Sequence, residues 1–484
     1  MAAISVTAQE FAHSILARIT ECPGEQTRFA GVTHLECDGF SQKFSFTNER
    51  IHAENCIPAT ISPVVLPTDT VMKIRAVTKL FDCAARRMID LYCTEFGVST
   101  DSQIGRLVLA TCVAPFDKIR TENNPNSIGR VDFVIDTEGE IKVIELNYLA
   151  IGGMLYNTLL SRNLLSTVLS DVEHNSALPG YVSEIPEDVW ILHKENLQQV
   201  VDSISKPEPT VLYVTPYFDK QYQDTAVELA ALKSCGVKFI WIDHLPQFES
   251  SDVKLRYDGQ TLLYAGNIID IVWYASTYVH MEPYKHYGYC LLVKAHERKQ
   301  VVWYPTPASR VIGSKGLLAL LSHKLVQDLI FSDEEKMLLT KHLPATYLLH
   351  PAFFSDGNYD AFRRKVLLHK ERYVMKRAIG SGGAQVFVGK SIDTEAWYSL
   401  LFSQPSQGQY SQAEFIVQEL IHVQQWQAIL VDSRTTKPFK THVVPVFGAF
   451  ALRGQFGGLL CRVSTSSDVV NLANGGDIQP VLEY

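Results

Sequence analysis

Ser127 to Tyr148 reads SIGRVDFVIDTEGEIKVIELNY, and the fold of the chain is argued from it. Two runs of alternating apolar residues flank Glu138-Gly139, a pair suited to a tight turn, which predicts an antiparallel hairpin. Placing the turn there sets Thr137 opposite Glu140. Asp132 then faces Glu145, and Arg130 faces Asn147. Side chains alternate along a strand, so these four lie on one face. Directly opposed residues approach to about 5 Å at Cβ. Two opposed carboxylates repel unless a cation lies between them. With the amide oxygen of Asn147 they make a set of hard oxygen donors suited to Mg²⁺ or Mn²⁺. Arg130, at the end of the same patch, is placed to clamp a phosphate. The pattern also suits an exposed hairpin with a charged outer face, which is the commoner arrangement, and on this segment alone both readings stand.

Four other segments carry chemistry. In YVMKRAIGSGGAQVFV a strand ends near Lys376 and a glycine loop follows, Gly380, Ser381, Gly382 and Gly383. Glycines let backbone amides approach phosphate oxygens, and the lysine adds a positive charge. The segment is not a P-loop, because no Gly-Lys-Ser/Thr precedes a helix. It reads as a hairpin lid over a nucleotide or as an ordinary glycine-rich turn. Gln418, Glu419, Leu420 and Ile421 end an apolar strand that could offer backbone groups to an adenine edge. Ser314-Lys315 stands near a helix start, where the lysine either reaches a phosphate or is solvated. Arg462, with Asn471, Asn474, Gly475 and Gly476, either lines a cleft or belongs to a surface loop.

The chain has 484 residues, 46% of them hydrophobic and 20% charged, with a formal net charge of −8. This is a globular composition of about three domains. An acidic balance disfavours a general nucleic-acid binder. The nine cysteines are odd in number and irregularly spaced, with no Cys-x-x-Cys. That argues against a disulfide framework and against a cysteine zinc site. No apolar run of about 18 residues predicts a membrane span. The N-terminal MAAISVTAQEFAHSILARITE reads as an amphipathic helix rather than a signal peptide, so the expected setting is the cytoplasm. SKPEPT, residues 205–210, reads as a linker. The strand–helix–strand pattern after it predicts a small α/β domain with parallel strands. The expected domains are a mainly helical region at 1–125, a metal-binding part at 126–205, the small α/β domain at 206–305, and a nucleotide-binding and lid part at 306–484.

Taken in order, these segments resemble the circularly permuted ATP-grasp ligases, in particular the synthetase part of glutathionylspermidine synthase and its relatives. The resemblance rests on Arg130-Val131-Asp132 with Glu145-Leu146-Asn147, then Ser314-Lys315, Val374-Met375-Lys376 with Gly380 to Gly383, Gln418 to Ile421, and Arg462 with Asn471 to Gly476. The Glu-x-Asn element precedes the lysine and glycine loop, as in the permuted branch. The similarity runs over about residues 125–484. It implies an α/β (α+β) fold, a circularly permuted ATP-grasp with a small Rossmann-like preATP-grasp domain. It also implies ATP-dependent joining of a small-molecule carboxylate to an amine through an acyl phosphate. In that reading Asp132, Glu145 and Asn147 hold Mg²⁺ (or Mn²⁺), and Lys315 and Lys376 steady the phosphates. Arg130 and Arg462 stabilise charge at the carboxylate. Two features depart from the family. Residues 1–125 show no Cys/His amidase, and Ile269-Asp270-Ile271-Val272 runs into Trp273-Tyr274 where relatives often carry paired arginines. Glutathione and spermidine are therefore not carried over. A small-molecule kinase and a silent nucleotide-binding protein are the alternatives.

Overall fold

The computed structural model describes residues 31–37, 40–47, 50–53, 59–60, 64–95, 103–111, 128–148, 153–154, 183–187, 189–215, 232, 234–243, 255–274, 287–305, 309, 312–354, 358–378, 385–402, 413–431, 438–465, 477–479 and 481–483. The expected N-terminal helix, the loop Gly380 to Gly383, and Asn471 to Gly476 lie outside the described residues.

The chain is a mixed α/β protein. Its first described elements are strands, β1 (Gly31–Cys37), β2 (Phe40–Thr47), β3 (Arg50–Ala53), β4 (Ala59–Thr60) and β5 (Val64–Leu66). The sequence reading did not anticipate these strands. Helical structure there is confined, among the described residues, to α1 (Thr68–Glu95) and α2 (Gln103–Thr111). The partner that joins these strands to the body is distant in sequence: β4 pairs with β23 (Asp477–Gln479) near the C-terminus. No local pattern announces such a partner.

The large sheet runs β1-β2-β3-β4-β23-β22-β21-β6-β7. Here β6 is Gly129–Ile135, β7 is Ile141–Asn147, β21 is Pro438–Leu452 and β22 is Gln455–Ser464. One face is apolar. Val131, Phe133, Phe447, Ala449, Cys461 and Val463 pack in one core with Val71, Ile74, Phe81, Ala84 and Met88 of α1. The Phe133 and Phe447 rings stack at 5.3 Å. Val71, Ile74, Phe81 and Met88 recur at helical spacing, which is why that stripe of α1 is buried. Asp82, on the same helix, is buried too. It takes hydrogen bonds from Arg86, the Tyr148 hydroxyl and the Gly454 amide, and so ties α1 to the β21–β22 turn.

The strands after SKPEPT form the expected parallel sheet, ordered β10-β9-β14-β15. Its strands are β9 (Thr210–Thr215), β10 (Lys238–Asp243), β14 (Ile271–Tyr274) and β15 (Val302–Tyr304). A turn at Asp258-Gly259 joins β11 (Leu255–Tyr257) to β12 (Leu262–Tyr264). Trp273 is buried and stacks on Tyr304 at 4.2 Å, so this position builds the core instead of a pocket wall. A four-stranded antiparallel sheet, β16-β19-β17-β18, holds the lysine strand. Its members are β16 (Thr346–Leu348), β17 (Tyr373–Arg377), β18 (Val386–Val388) and β19 (Phe415–Glu419). No helix among the described residues is long and apolar enough to cross a membrane.

Candidate functional site

The hairpin pairs exist as expected: Arg130 faces Asn147 and Asp132 faces Glu145. They are reached by a different route. Asp136, not Thr137, faces Glu140, with the Asp136 amide donating to the Glu140 carbonyl at 2.9 Å. Gly139 takes the left-handed backbone, φ +82°, that closes the turn. Pairing near the turn is therefore one residue out of the expected register. A bulge then restores it, because Phe133 faces Val143 while Asp132 faces Glu145, leaving Ile144 unpaired. Bulges often re-aim groups next to functional sites. Here the Ile144 carbonyl accepts a hydrogen bond from Lys376 Nζ at 3.1 Å.

Four elements far apart in sequence converge on this face. Arg130 Nε and Nη2 grip Asp132 at 2.7 and 2.9 Å. Arg462, on β22, reaches across β21 to Asp132 at 2.7 Å. Asn147 Nδ2 donates to the same carboxylate at 3.1 Å. Lys315 Nζ meets Glu145 Oε1 at 2.8 Å, and its backbone amide donates to Ala378 at the end of β17. Lys376 Nζ also bonds Gln418 Oε1 at 2.8 Å. Gln418 Nε2 in turn donates to the Thr346 hydroxyl at 2.9 Å, which fixes the amide with its oxygen toward the lysine.

Charge explains the titration of these groups. Burial pushes the Asp132 carboxyl up, but the adjacent Arg130 and Arg462 outweigh it and hold the group below the usual carboxylate range. Burial also raises Glu145, and Lys315 outweighs burial together with the Asp132 charge, so Glu145 too is held low. Lys376 moves the other way, down to about 8. Burial is the main cause and the nearby Lys315 charge adds to it, against the pull of Glu145 and Asp132. Four basic side chains thus surround two carboxylates. Lys376 has only neutral hydrogen-bond acceptors, so an anion brought to it would find a poorly compensated charge.

The remaining expected residues are placed differently. Glu419, Leu420 and Ile421 follow Gln418 at the end of β19 and are partly exposed. The amides of Glu419 and Leu420 already donate to Ala345 and Arg372. Gln418 contributes its side chain to the lysine. Sequence reading missed Gly448. It pairs with Asp132 across β21, and a Cβ there would lie 2.7 Å from Arg130 Cδ and 2.9 Å from Asp132 Oδ1. The available signal was a lone glycine inside the strand VVPVFGAFAL, a mark of close approach. Thr346 was missed as well and has no sequence signal.

No family model matches the chain, and no curated protein matches it. Among solved structures, it is similar to a glutathione synthetase-like effector (GSS30) from Globodera pallida in its apo form. The TM-score is 0.55 at 12% identity, over 99% of this chain and 98% of that one. That similarity is one of fold, over essentially the full length of both chains. A protein from Methylobacillus flagellatus KT, provisionally described as a gamma-glutamylcysteine synthetase, gives a TM-score of 0.39 at 12% identity, over 85% of this chain and 87% of that one. At that score it carries no argument.

Proposed function

We propose that this protein is an ATP-dependent carboxylate–amine ligase built on a circularly permuted ATP-grasp fold, working through an acyl phosphate. The observation that carries the reading is the meeting of Lys315, Lys376, Arg130 and Arg462 over the Asp132–Glu145 pair. A surplus of buried positive charge with oxygen donors at its centre suits a polyphosphate and a hard cation. The synthetase-like name of the structure that shares the fold agrees with it.

Two ionised carboxylates opposed on one ladder, with an amide one pair further on, are the donor types that Mg²⁺ or Mn²⁺ takes once a donor now on Asp132 gives way. Asp132, Glu145 and Asn147 would hold it, and it would supply charge neutralisation for the transferring phosphoryl group. Lys315 and Lys376 hold the nucleotide phosphates, with Gln418 and the Ile144 carbonyl aiming Lys376. The γ-phosphoryl group passes from ATP to the substrate carboxylate, and ADP departs. Arg130 and Arg462 hold the anionic carboxylate and then the acyl phosphate. The amine attacks the carbonyl carbon, phosphate leaves, and the amine proton goes to solvent. No side chain of the protein becomes covalently attached.

The test uses Glu145 rather than Asp132, because Glu145 is partly exposed whereas Asp132 is buried and pairs with two arginines. Glu145→Gln should stay folded and lose most ADP formation. With ATP, Mg²⁺, hydroxylamine and a panel of carboxylic acids, the wild-type protein should yield a hydroxamate. A stable phosphorylated product instead would make it a kinase. ATP binding without turnover across the panel would make it a silent nucleotide-binding protein.

A further inference from the structure

Asp132 has no room for a metal ion as it stands. An ionised carboxylate has about four lone-pair sites. Asp132 already accepts Arg130 Nε at 2.7 Å, Arg130 Nη2 at 2.9 Å, Arg462 Nη2 at 2.7 Å and Asn147 Nδ2 at 3.1 Å. A cation at this carboxylate must displace one of these donors. The two arginines are not equally held. Arg130 sits two residues away on the same strand, grips with two parallel N–H bonds, and lies against Gly448. Arg462 arrives from β22 with one bond, and its own Nε is buried with no hydrogen-bond partner among the described residues. Buried donors of this kind call for a partner that is still to come.

We propose that Arg462 and a divalent cation exchange places on Asp132. In the ligand-free protein the carboxylate stores Arg462. When metal binds, Arg462 leaves Asp132 and turns its fork, Nε and Nη2 together, to the reacting carboxylate of the substrate and then to its acyl phosphate. The inference rests on the ligase reading and deepens it. The same arginine cannot serve both anions at once, so metal must precede the carboxylate substrate. Electrostatics gives the direction. A divalent ion beside two arginines overloads a site that has two carboxylates, and the singly bonded arginine is the one to go.

The experiment measures Mn²⁺ binding to the full-length protein without nucleotide, by the electron paramagnetic resonance of free Mn²⁺. Arg462→Gln should bind Mn²⁺ at least about tenfold more tightly than wild type, the equivalent of one charge-assisted hydrogen bond no longer competing. Lys376→Gln removes one positive charge from the same cluster without touching Asp132, and should gain much less. Equal gains in the two variants, or no gain in Arg462→Gln, would overturn the exchange. A measurement on unaltered protein guards against misfolding. Saturating Mn²⁺ alone should raise phenylglyoxal labelling of Arg462 several-fold, read by peptide mass spectrometry, while Arg130 stays protected. Unchanged labelling of Arg462 would overturn it as well. Failure of the underlying reading looks different: wild type would bind no Mn²⁺ that Glu145→Gln loses. In that case the metal assignment falls and the exchange with it.

Discussion

Lys376 is the residue whose setting differs most from its sequence environment. It is buried, its amine meets only neutral acceptors, and its pKa falls to about 8 from 10.5. The sign of the linkage follows. Between about pH 8 and 10.5 the unfolded chain binds a proton that the fold does not, so this lysine makes stability rise with pH across that window and fall back as pH drops through 8. Nucleotide phosphates should restore its charge. ATP binding at pH 8.5 should therefore take up a fraction of a proton, seen as a calorimetric enthalpy that changes with the ionisation enthalpy of the buffer. An enthalpy independent of buffer would remove Lys376 from the phosphate site. Asp132 gives a second prediction at this scale. Asp132→Ala leaves two guanidinium groups facing an empty space inside the sheet, a loss of about 3–5 kcal/mol. Its denaturant midpoint should fall far more than that of Glu145→Gln, and a smaller fall would mean the arginines find other partners.

At the scale of elements, two irregularities do the positioning. The bulge in β7 delivers the Ile144 carbonyl to Lys376, and the glycine in β21 leaves room for Arg130 to lie against Asp132. Gly448→Ala places a Cβ inside the contact radius of Arg130 Cδ, an overpacking that costs about 1–3 kcal/mol. Its expected signature is a lower melting temperature together with loss of hydroxamate formation; unchanged turnover would show that Arg130 moves aside freely. The hairpin was legible because strand periodicity of two survives even an error in the turn: a loop one residue off and a one-residue bulge cancel. The role of Gln418 was not legible. Its side chain meets Lys376 diagonally across a ladder, and that neighbour exists only once β17 and β19 pair. Strands β4 and β5 were missed for a similar reason, since each pairs with a strand near the C-terminus, whereas β1, β2 and β3 pair with their sequence neighbours.

At the scale of the molecule, the last residues stitch the fold. β23 lies between β22 and β4, and β24 (Val481–Glu483) pairs with β5 and with β8 (Ser183–Glu184). Ile478 and Leu482 are fully buried. Deleting residues 477–484 strips two strands with their four pairings and the buried side chains of Ile478, Val481 and Leu482, each worth about 2–5 kcal/mol as a large-to-small loss. The truncated chain should lose its cooperative thermal transition. A transition preserved within a few degrees would show that the N-terminal strands hold without it.

The sequence by itself determined the elements whose patterns are local: the hairpin with its facing pairs and the parallel strands after SKPEPT. Tertiary structure alone decided which of those side chains meet. Arg462 crosses a neighbouring strand to Asp132, Lys315 closes on Glu145, and Gln418 turns to Lys376. The physical reason is range. Strand and helix periodicities are written within about ten residues, whereas a charge buried in a sheet is set by whichever distant strands pack beside it.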